Sequence, residues 1–209
     1  MNAKLIGPLT GVLFVVLVIV AFAVGGTTPG VGDPTKKIVS FYVDNGSDQQ
    51  FAATLLALAC VAFLFFLGAL RQSLRATAGD EGGLSNVAIL GGLMIAVGLS
   101  LFAGIGFTLG DAADDLPASS ILTLNALNSD LFFTSAVGTA VFDLGLALAV
   151  LRHGGLPRAL GWLALVIGII ALTPAGFFAF LATGIVVVWA SVALTTQANA
   201  PEASAATSR

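Results

Sequence analysis

Long apolar runs constrain this chain more than any other feature of its sequence. A helix of about 18 apolar residues suffices to cross a hydrocarbon core of roughly 30 Å. Four runs have this length and a fifth is longer still. Only 9% of the residues are charged, against roughly 25% in ordinary soluble domains. The sequence therefore predicts an all-α fold, a polytopic membrane helix bundle that forms a single domain over residues 1–194.

The last apolar run, Leu156 to Leu194, is too long for one span. As a single helix it would measure about 58 Å, and the motif TPAG at Thr173–Gly176, near its middle, is typical of a turn. We therefore predict a hairpin here and six spans in all; the alternative is five spans with one long, kinked last helix. The predicted spans are 5–24, 51–70, 87–109, 131–151, 156–172 and 177–194. The residues that follow, 195–209, are small and polar and are expected to be disordered.

The basic residues set the expected orientation. With six spans and the N-terminus inside, six basic residues fall on the cytoplasmic side and two outside, in agreement with the positive-inside rule. The inner set is Lys4, Arg71, Arg75, Arg152, Arg158 and Arg209, and the outer set is Lys36 and Lys37. We expect a multi-pass plasma-membrane protein whose N-terminus, C-terminus and tail are cytoplasmic.

Two hairpins resemble each other in sequence. SDQQF (Ser47–Phe51) opens span 2 and SDLFF (Ser129–Phe133) opens span 4, and in each a Ser or Asp is a predicted N-cap. An arginine, Arg71 or Arg152, ends each span, and GGL follows before the next one. The pattern is that of a parallel hairpin repeat of spans 2–3 and 4–5, as in transporters; the alternative is that all membrane hairpins share such ends.

The segment TKKIVSFYVDNGSD, between spans 1 and 2, predicts a short amphipathic helix on the outer side. At helical spacing Ile38, Phe41 and Tyr42 share a face, and a tyrosine suits the membrane interface. The helix either caps a cavity or rests at the interface.

Asp143, near the middle of span 4, is the strongest candidate for a functional residue. A charge at the bilayer centre costs about 2.5–3.5 kcal/mol on insertion scales, so the side chain is expected to face the bundle interior. Ser135 and Thr139 lie on the same helix face and form a polar stripe with Asp143. The stripe is interpreted either as a proton- or cation-responsive site or as a neutral acid that hydrogen-bonds between helices.

Other kinds of site find no support in the sequence. All three lysines lie outside the spans, His153 is the only histidine and Cys60 the only cysteine, so we expect no cofactor and no metal site. No nucleophile–base motif is present, so we expect no catalytic residues and no enzyme. The few, scattered basic residues argue against nucleic acid as a partner.

The segment GGLPRALGWLALVIGIIAL, Gly154–Leu172, resembles an LPRxLGWL segment of uncharacterised bacterial multi-span membrane proteins, many of them actinobacterial. KIVSFYVDN, before span 2, is similar to a segment of the same proteins. The resemblance implies about six spans and a bacterial plasma membrane, and it implies no substrate or catalytic residue. We therefore expect a non-catalytic structural or regulatory module, with the lipid bilayer, a membrane protein or a second copy as partner; the alternative is a small proton- or cation-coupled transporter that uses Asp143.

Overall fold

The computed structural model describes residues 3–78 and 83–199, and within them the chain forms seven helices and no strand. The helices are α1 (Ala3–Gly25), α2 (Thr35–Asp44), α3 (Gly46–Ala78), α4 (Gly83–Ala112), α5 (Ala118–His153), α6 (Arg158–Ala171) and α7 (Gly176–Asn199). The prediction of an all-α membrane helix bundle is confirmed.

Five of these helices, α1, α3, α4, α5 and α7, are long and apolar enough to cross a membrane. Helix α6 is apolar but has only 14 residues, which gives it a length of about 21 Å. The predicted six spans thus correspond to five helices of spanning length and one shorter helix.

The long helices and α6 run up and down in sequence order. Each of them packs against the one before it with the opposite direction, and α7 also packs beside α5 with the same direction. The contacts that fix these directions are Gly7–Ala69 and Gly25–Ala52 for α1–α3, Gly92–Leu67 and Gly110–Gly46 for α3–α4, Gly91–Phe142 and Gly98–Ser135 for α4–α5, Gly161–Leu151 and Gly168–Leu144 for α5–α6, and Phe132–Phe180 and Thr183–Asp143 for α5–α7. Because Gly11 lies against Ser191, the start of α1 and the end of α7 meet at the same end of the bundle.

The chain reverses at the TPAG motif, as the sequence predicts. Helix α6 ends at Ala171, a turn follows over residues 172–175, and α7 begins at Gly176. The Thr173 hydroxyl accepts a hydrogen bond from the Ala175 N–H at 3.2 Å and stabilises this turn. The alternative of one long kinked helix is therefore wrong.

Helix α5 begins well before the predicted start of span 4. It starts at Ala118, directly after Pro117, rather than at Leu131. Ser129 is therefore not an N-cap but lies inside the helix, where its hydroxyl donates to the Asn125 carbonyl at 3.0 Å. Ser47 likewise follows the first residue of α3, Gly46. Residues 118–130 are too polar to be recognised as part of a span, so the sequence did not predict that the helix extends beyond the apolar run.

Helix α2 is the predicted amphipathic helix, and it packs on the end of the bundle that the basic residues predict to be outer, called the outer end below. Ile38 and Tyr42 are buried in a small apolar cluster with Leu109 at the end of α4 and Ile121 at the start of α5. We call α2 and these helix ends the outer cap. The early start of α5 thus provides the surface on which α2 rests.

The remaining predictions concern the repeat and the tail. The two hairpins, α3–α4 and α5–α6, run in the same directions, but their return helices differ, with 30 residues in α4 and 14 in α6. Helix α7 continues past Leu194 to Asn199. The rest of the predicted disordered tail, 200–209, lies outside the described residues.

Candidate functional site

The polar stripe of α5 faces the interior of the bundle. Ser135, Thr139 and Asp143 are all fully buried, with 0% exposure. The surrounding core is apolar and includes Phe142 and Leu146 of the same helix. The side chains predicted from the sequence thus lie together on the protein side of α5, away from the lipid-facing surface.

The partner of Asp143 is Thr183 on α7. The two side chains are joined by a hydrogen bond of 2.6 Å between Thr183 Oγ1 and Asp143 Oδ2. Thr183 is itself buried, and its Oγ1 lies 3.0 Å from the Ala179 carbonyl oxygen one turn earlier. Sequence reasoning missed Thr183, because a lone threonine in an apolar span gives no sign of which helix it faces.

The stripe is not a connected chain of side-chain hydrogen bonds. Thr139 Oγ1 donates to the backbone carbonyl of Ser135 at 2.8 Å rather than to Asp143. Ser135 Oγ and Asp143 Oδ1 have no hydrogen-bond partner within residues 3–78 and 83–199. The three residues therefore share a face, but only Asp143 links α5 to another helix through its side chain.

Small residues bring α4 and α5 into close contact beside the stripe. A Cβ on Gly138 would lie 2.7 Å from the Ile95 nitrogen, and one on Gly145 would lie 2.6 Å from the Ala88 nitrogen. On α4, Gly91 faces the Phe142 backbone and Gly98 faces Ser135. This close backbone approach fixes the rotation of α5 and so turns the stripe toward the bundle interior.

An apolar groove runs between α1 and α7 next to this site. It encloses about 560 Å³, and its walls include Phe14 and Val18 of α1 and Leu181 and Trp189 of α7. Thr183 also lines the groove, and it is the only residue with a polar side-chain group among the lining residues apart from the Trp189 indole. Asp143 lies behind Thr183 and does not line the groove.

A second cavity of about 700 Å³ continues the groove toward the outer cap. The two share Val18, Ile19 and Leu181 as lining residues. The outer cavity differs in having polar residues at its far end, namely Thr27, Thr28, Asn125, Asn128 and Ser129. Of these, Asn128 is 5% exposed and its Oδ1 makes no hydrogen bond to any described residue.

The outer cap contains a buried hydrogen-bond cluster. Tyr42 Oη donates to Asn125 Oδ1 at 2.6 Å, and Asn125 Nδ2 donates to the Pro29 carbonyl at 3.2 Å. Burial raises the pKa of Tyr42 to about 12. In the loop before α2, the hydrogen bond from Lys37 and one from the Gly30 N–H lower the pKa of Asp33.

Comparisons with protein-family models, with curated proteins and with solved structures found no match to this chain. The function is therefore argued from the geometry of the site.

Proposed function

We propose that this chain is a non-catalytic structural or regulatory module of a bacterial plasma membrane, in which Asp143 serves to hold two helices together. The observation that carries the proposal is the hydrogen bond between Asp143 of α5 and Thr183 of α7, made by two fully or nearly fully buried side chains. Interhelical hydrogen bonds of this kind stabilise membrane bundles by roughly 0.6–2 kcal/mol.

The position of Thr183 favours a neutral Asp143. A threonine hydroxyl has one hydrogen to donate, and two oxygens lie within reach of Thr183 Oγ1, at 2.6 Å on Asp143 and at 3.0 Å on Ala179. If the hydroxyl donates to the Ala179 carbonyl, as is usual for threonine in a helix, then Asp143 must donate to Thr183. A carboxyl group donates only when it is protonated, and the neutral acid also avoids the cost of a charge in hydrocarbon.

The surroundings of the pair support a structural role over transport. The neighbouring groove is walled by apolar side chains, and Thr183 separates it from Asp143. A carboxyl group that carries protons or cations across a membrane lies on a polar or water-filled path. The apolar walls of this groove do not provide such a path.

The alternative is a small proton- or cation-coupled transporter that uses Asp143. One observation favours it: the second carboxyl oxygen, Asp143 Oδ1, is buried and has no hydrogen-bond partner among the described residues. Buried polar groups are normally paired, so an oxygen left over is a place where a proton or cation could bind.

Proton flux into liposomes separates the two proposals. Purified wild type and Asp143→Asn are reconstituted, a pH gradient is imposed, and an internal pH dye reports the flux. We expect both proteins to match empty liposomes, since the asparagine side chain keeps a hydrogen-bond donor without a titratable proton. Flux in the wild type that the folded asparagine variant loses would establish the transporter and reject the structural role.

A further inference from the structure

We infer that the groove between α1 and α7 binds one lipid chain whose head group carries free hydroxyls, with the head at Asn128 and the chain along α7. This site is independent of the role of Asp143. It consists of the apolar groove together with the outer cavity that continues it. We call the combined space the α1–α7 cleft.

The cleft has the length of a lipid chain. Phe177 lines its outer part and Trp189 its inner end, and these two residues are separated along α7 by about 18 Å. An extended hydrocarbon chain rises about 1.25 Å per carbon, given C–C bonds of about 1.52 Å. The cleft therefore accommodates at least about 14 carbons in line.

The cleft opens on the lipid-facing surface of the bundle. Ile19, Leu181 and Ile185 line it and are 61%, 44% and 61% exposed. In a membrane this surface is in contact with acyl chains, so a lipid chain can enter the cleft from the side.

The distribution of polar residues in the cleft indicates how a bound lipid would be oriented. Its inner walls are apolar except for Thr183 and the Trp189 indole, and its other polar residues gather at the outer end, where Thr27, Thr28 and Ser129 accompany Asn128. The residues that line this outer end carry no charge. An amphiphile with a neutral polar head therefore matches the cleft better than one with a phosphate or carboxylate head.

Asn128 identifies the chemistry of the head group. Its amide is 5% exposed, it lines the outer cavity, and its Oδ1 has no hydrogen-bond partner within the described chain. A buried amide oxygen left unpaired is costly. A hydroxyl group can donate to this oxygen, as the hydroxyls of a glycerol or sugar head would.

The two tryptophans of the chain allow a direct test. Trp189 lines the cleft and is 37% exposed, whereas Trp162 lies on α6, outside the cleft, and is 59% exposed. The variants Trp162→Phe and Trp189→Phe each leave one tryptophan as the reporter. Each is placed in phosphatidylcholine nanodiscs with increasing fractions of a monoacylglycerol brominated near its chain end, and bromine quenches a tryptophan on contact.

We expect quenching of Trp189 to saturate as the probe is added. The mole fraction of probe at saturation should be at least tenfold lower than any mole fraction at which quenching of Trp162 saturates. The same probe with both hydroxyls acetylated should quench the two tryptophans alike. In the Trp162→Phe background, Asn128→Leu should remove the preference for the free hydroxyls. Equal quenching of Trp189 by the free and acetylated probes would overturn the proposal, because the cleft would then hold bulk lipid only.

A pair of glycine substitutions tests the position of the chain. Gly184 lines the cleft, with room for a Cβ at 3.6 Å from Val15, so Gly184→Leu should obstruct it and abolish saturable quenching. Gly104 lies on an exposed face of α4 with no atom within 4 Å of a Cβ, so Gly104→Leu should bind as wild type. Saturable binding that survives Gly184→Leu would overturn the proposal. So would a dimer of the wild-type protein that Gly184→Leu separates, because a second copy would then occupy the cleft.

Discussion

Asp143 and Thr183 form a pair in which each side chain provides the hydrogen-bond partner that the other needs because it is buried. The carboxyl group is 0% exposed and the threonine 3%, so neither can turn to water if the other is removed. In a membrane, a lost partner leaves a polar group in hydrocarbon or forces the helices apart. The energy of the pair is therefore best measured by a double-mutant cycle, which isolates the interaction.

We predict a coupling energy of about 0.6–2 kcal/mol between these two residues. Asp143→Leu and Thr183→Val should each lower the stability of the bundle, and the double variant should lose less than the sum of the two. The measurement is the free energy of unfolding in mixed micelles, followed by circular dichroism. Thr196→Val, at an exposed position of α7, is the control. If the two losses of stability simply add in the double variant, the 2.6 Å hydrogen bond contributes nothing to the stability of the bundle.

Tyr42 gives a second prediction at the scale of a residue, because it is the only tyrosine in the chain. Burial raises its pKa to about 12, above the value near 10 expected in an unfolded chain. The folded state therefore holds the proton more tightly, and its contribution to stability is complete below about pH 10 and is lost as the pH rises toward 12. Phenolate absorbance should show a midpoint near pH 12 in the folded protein and near 10 in denaturant. A folded midpoint near 10 would show that Tyr42 is accessible to water.

The sequence indicated the chemistry of these residues but not their partners. Asp143 stands out because a carboxyl group in an apolar run must face the protein, and it does. Its pairing with Thr183, 40 positions later, depends on how α7 packs against α5, and hydropathy carries no information about that rotation. The same holds for Asn125 and Tyr42, which are separated by 83 positions.

Among the helices, α4 and α5 are held together chiefly by the closeness of their backbones. Gly91 and Gly98 of α4 and Gly138 and Gly145 of α5 each have atoms of the other helix where a Cβ would stand. In lipid there is no hydrophobic force between helices, so such close packing supplies much of the association energy. A methyl group at this interface should therefore separate the helices.

We predict that Gly91→Ala destabilises the bundle by about 1–3 kcal/mol, the usual cost of overpacking. Its Cβ would overlap the backbone of Phe142. The matched control is Gly104→Ala on the same helix, where nothing lies within 4 Å and alanine should be neutral or slightly stabilising. Thermal unfolding in detergent compares the two variants. Equal melting temperatures would mean that α4 and α5 can shift at no cost.

Helix ends were harder to predict than helix cores. The TPAG turn was predictable because proline and glycine interrupt an otherwise uniform apolar run, and the chain does reverse there. The start of α5 at Ala118 was not, because residues 118–130 are too polar for a span and only their packing against α2 makes them part of a long helix. Hydropathy detects what lipid covers, whereas this segment is held by protein contacts on one face, where Ile121, Asn125 and Asn128 are buried.

At the scale of the whole molecule, the outer side of the bundle is uneven. Gly176, at the start of α7, lies against Ala136, whereas α5 continues for a further 18 residues toward the outer cap, about 27 Å as a helix. The turn between α6 and α7 is thus recessed, and it is surrounded by exposed apolar side chains. These are Phe133, Leu172 and Phe178, which are 73%, 68% and 70% exposed. We infer that this turn lies at the edge of the hydrocarbon, which is how a helix of about 21 Å completes a crossing.

This geometry predicts which positions a membrane-impermeant maleimide can reach in intact cells. The sole native cysteine, Cys60, is buried, so single cysteines can be added on the native background. Ser40→Cys in α2 and Ser119→Cys in α5 should react from outside. Ala76→Cys in α3 and Thr196→Cys in α7 should react only after permeabilisation, since α3 and α7 end beside the start of α1, at the end of the bundle that the positive-inside rule predicts to be cytoplasmic.

Thr173→Cys, in the recessed turn, is the decisive position because it reports whether α6 crosses the membrane. We expect it to react from outside but more slowly than Ser40→Cys, since apolar side chains surround it at the edge of the hydrocarbon. Denaturation before labelling should bring the two cysteines to equal reactivity, which controls for differences in expression. Labelling of Thr173→Cys only after permeabilisation would mean that α6 turns back on the inner side. Thr196→Cys would then react from outside, and the six-span arrangement would be rejected.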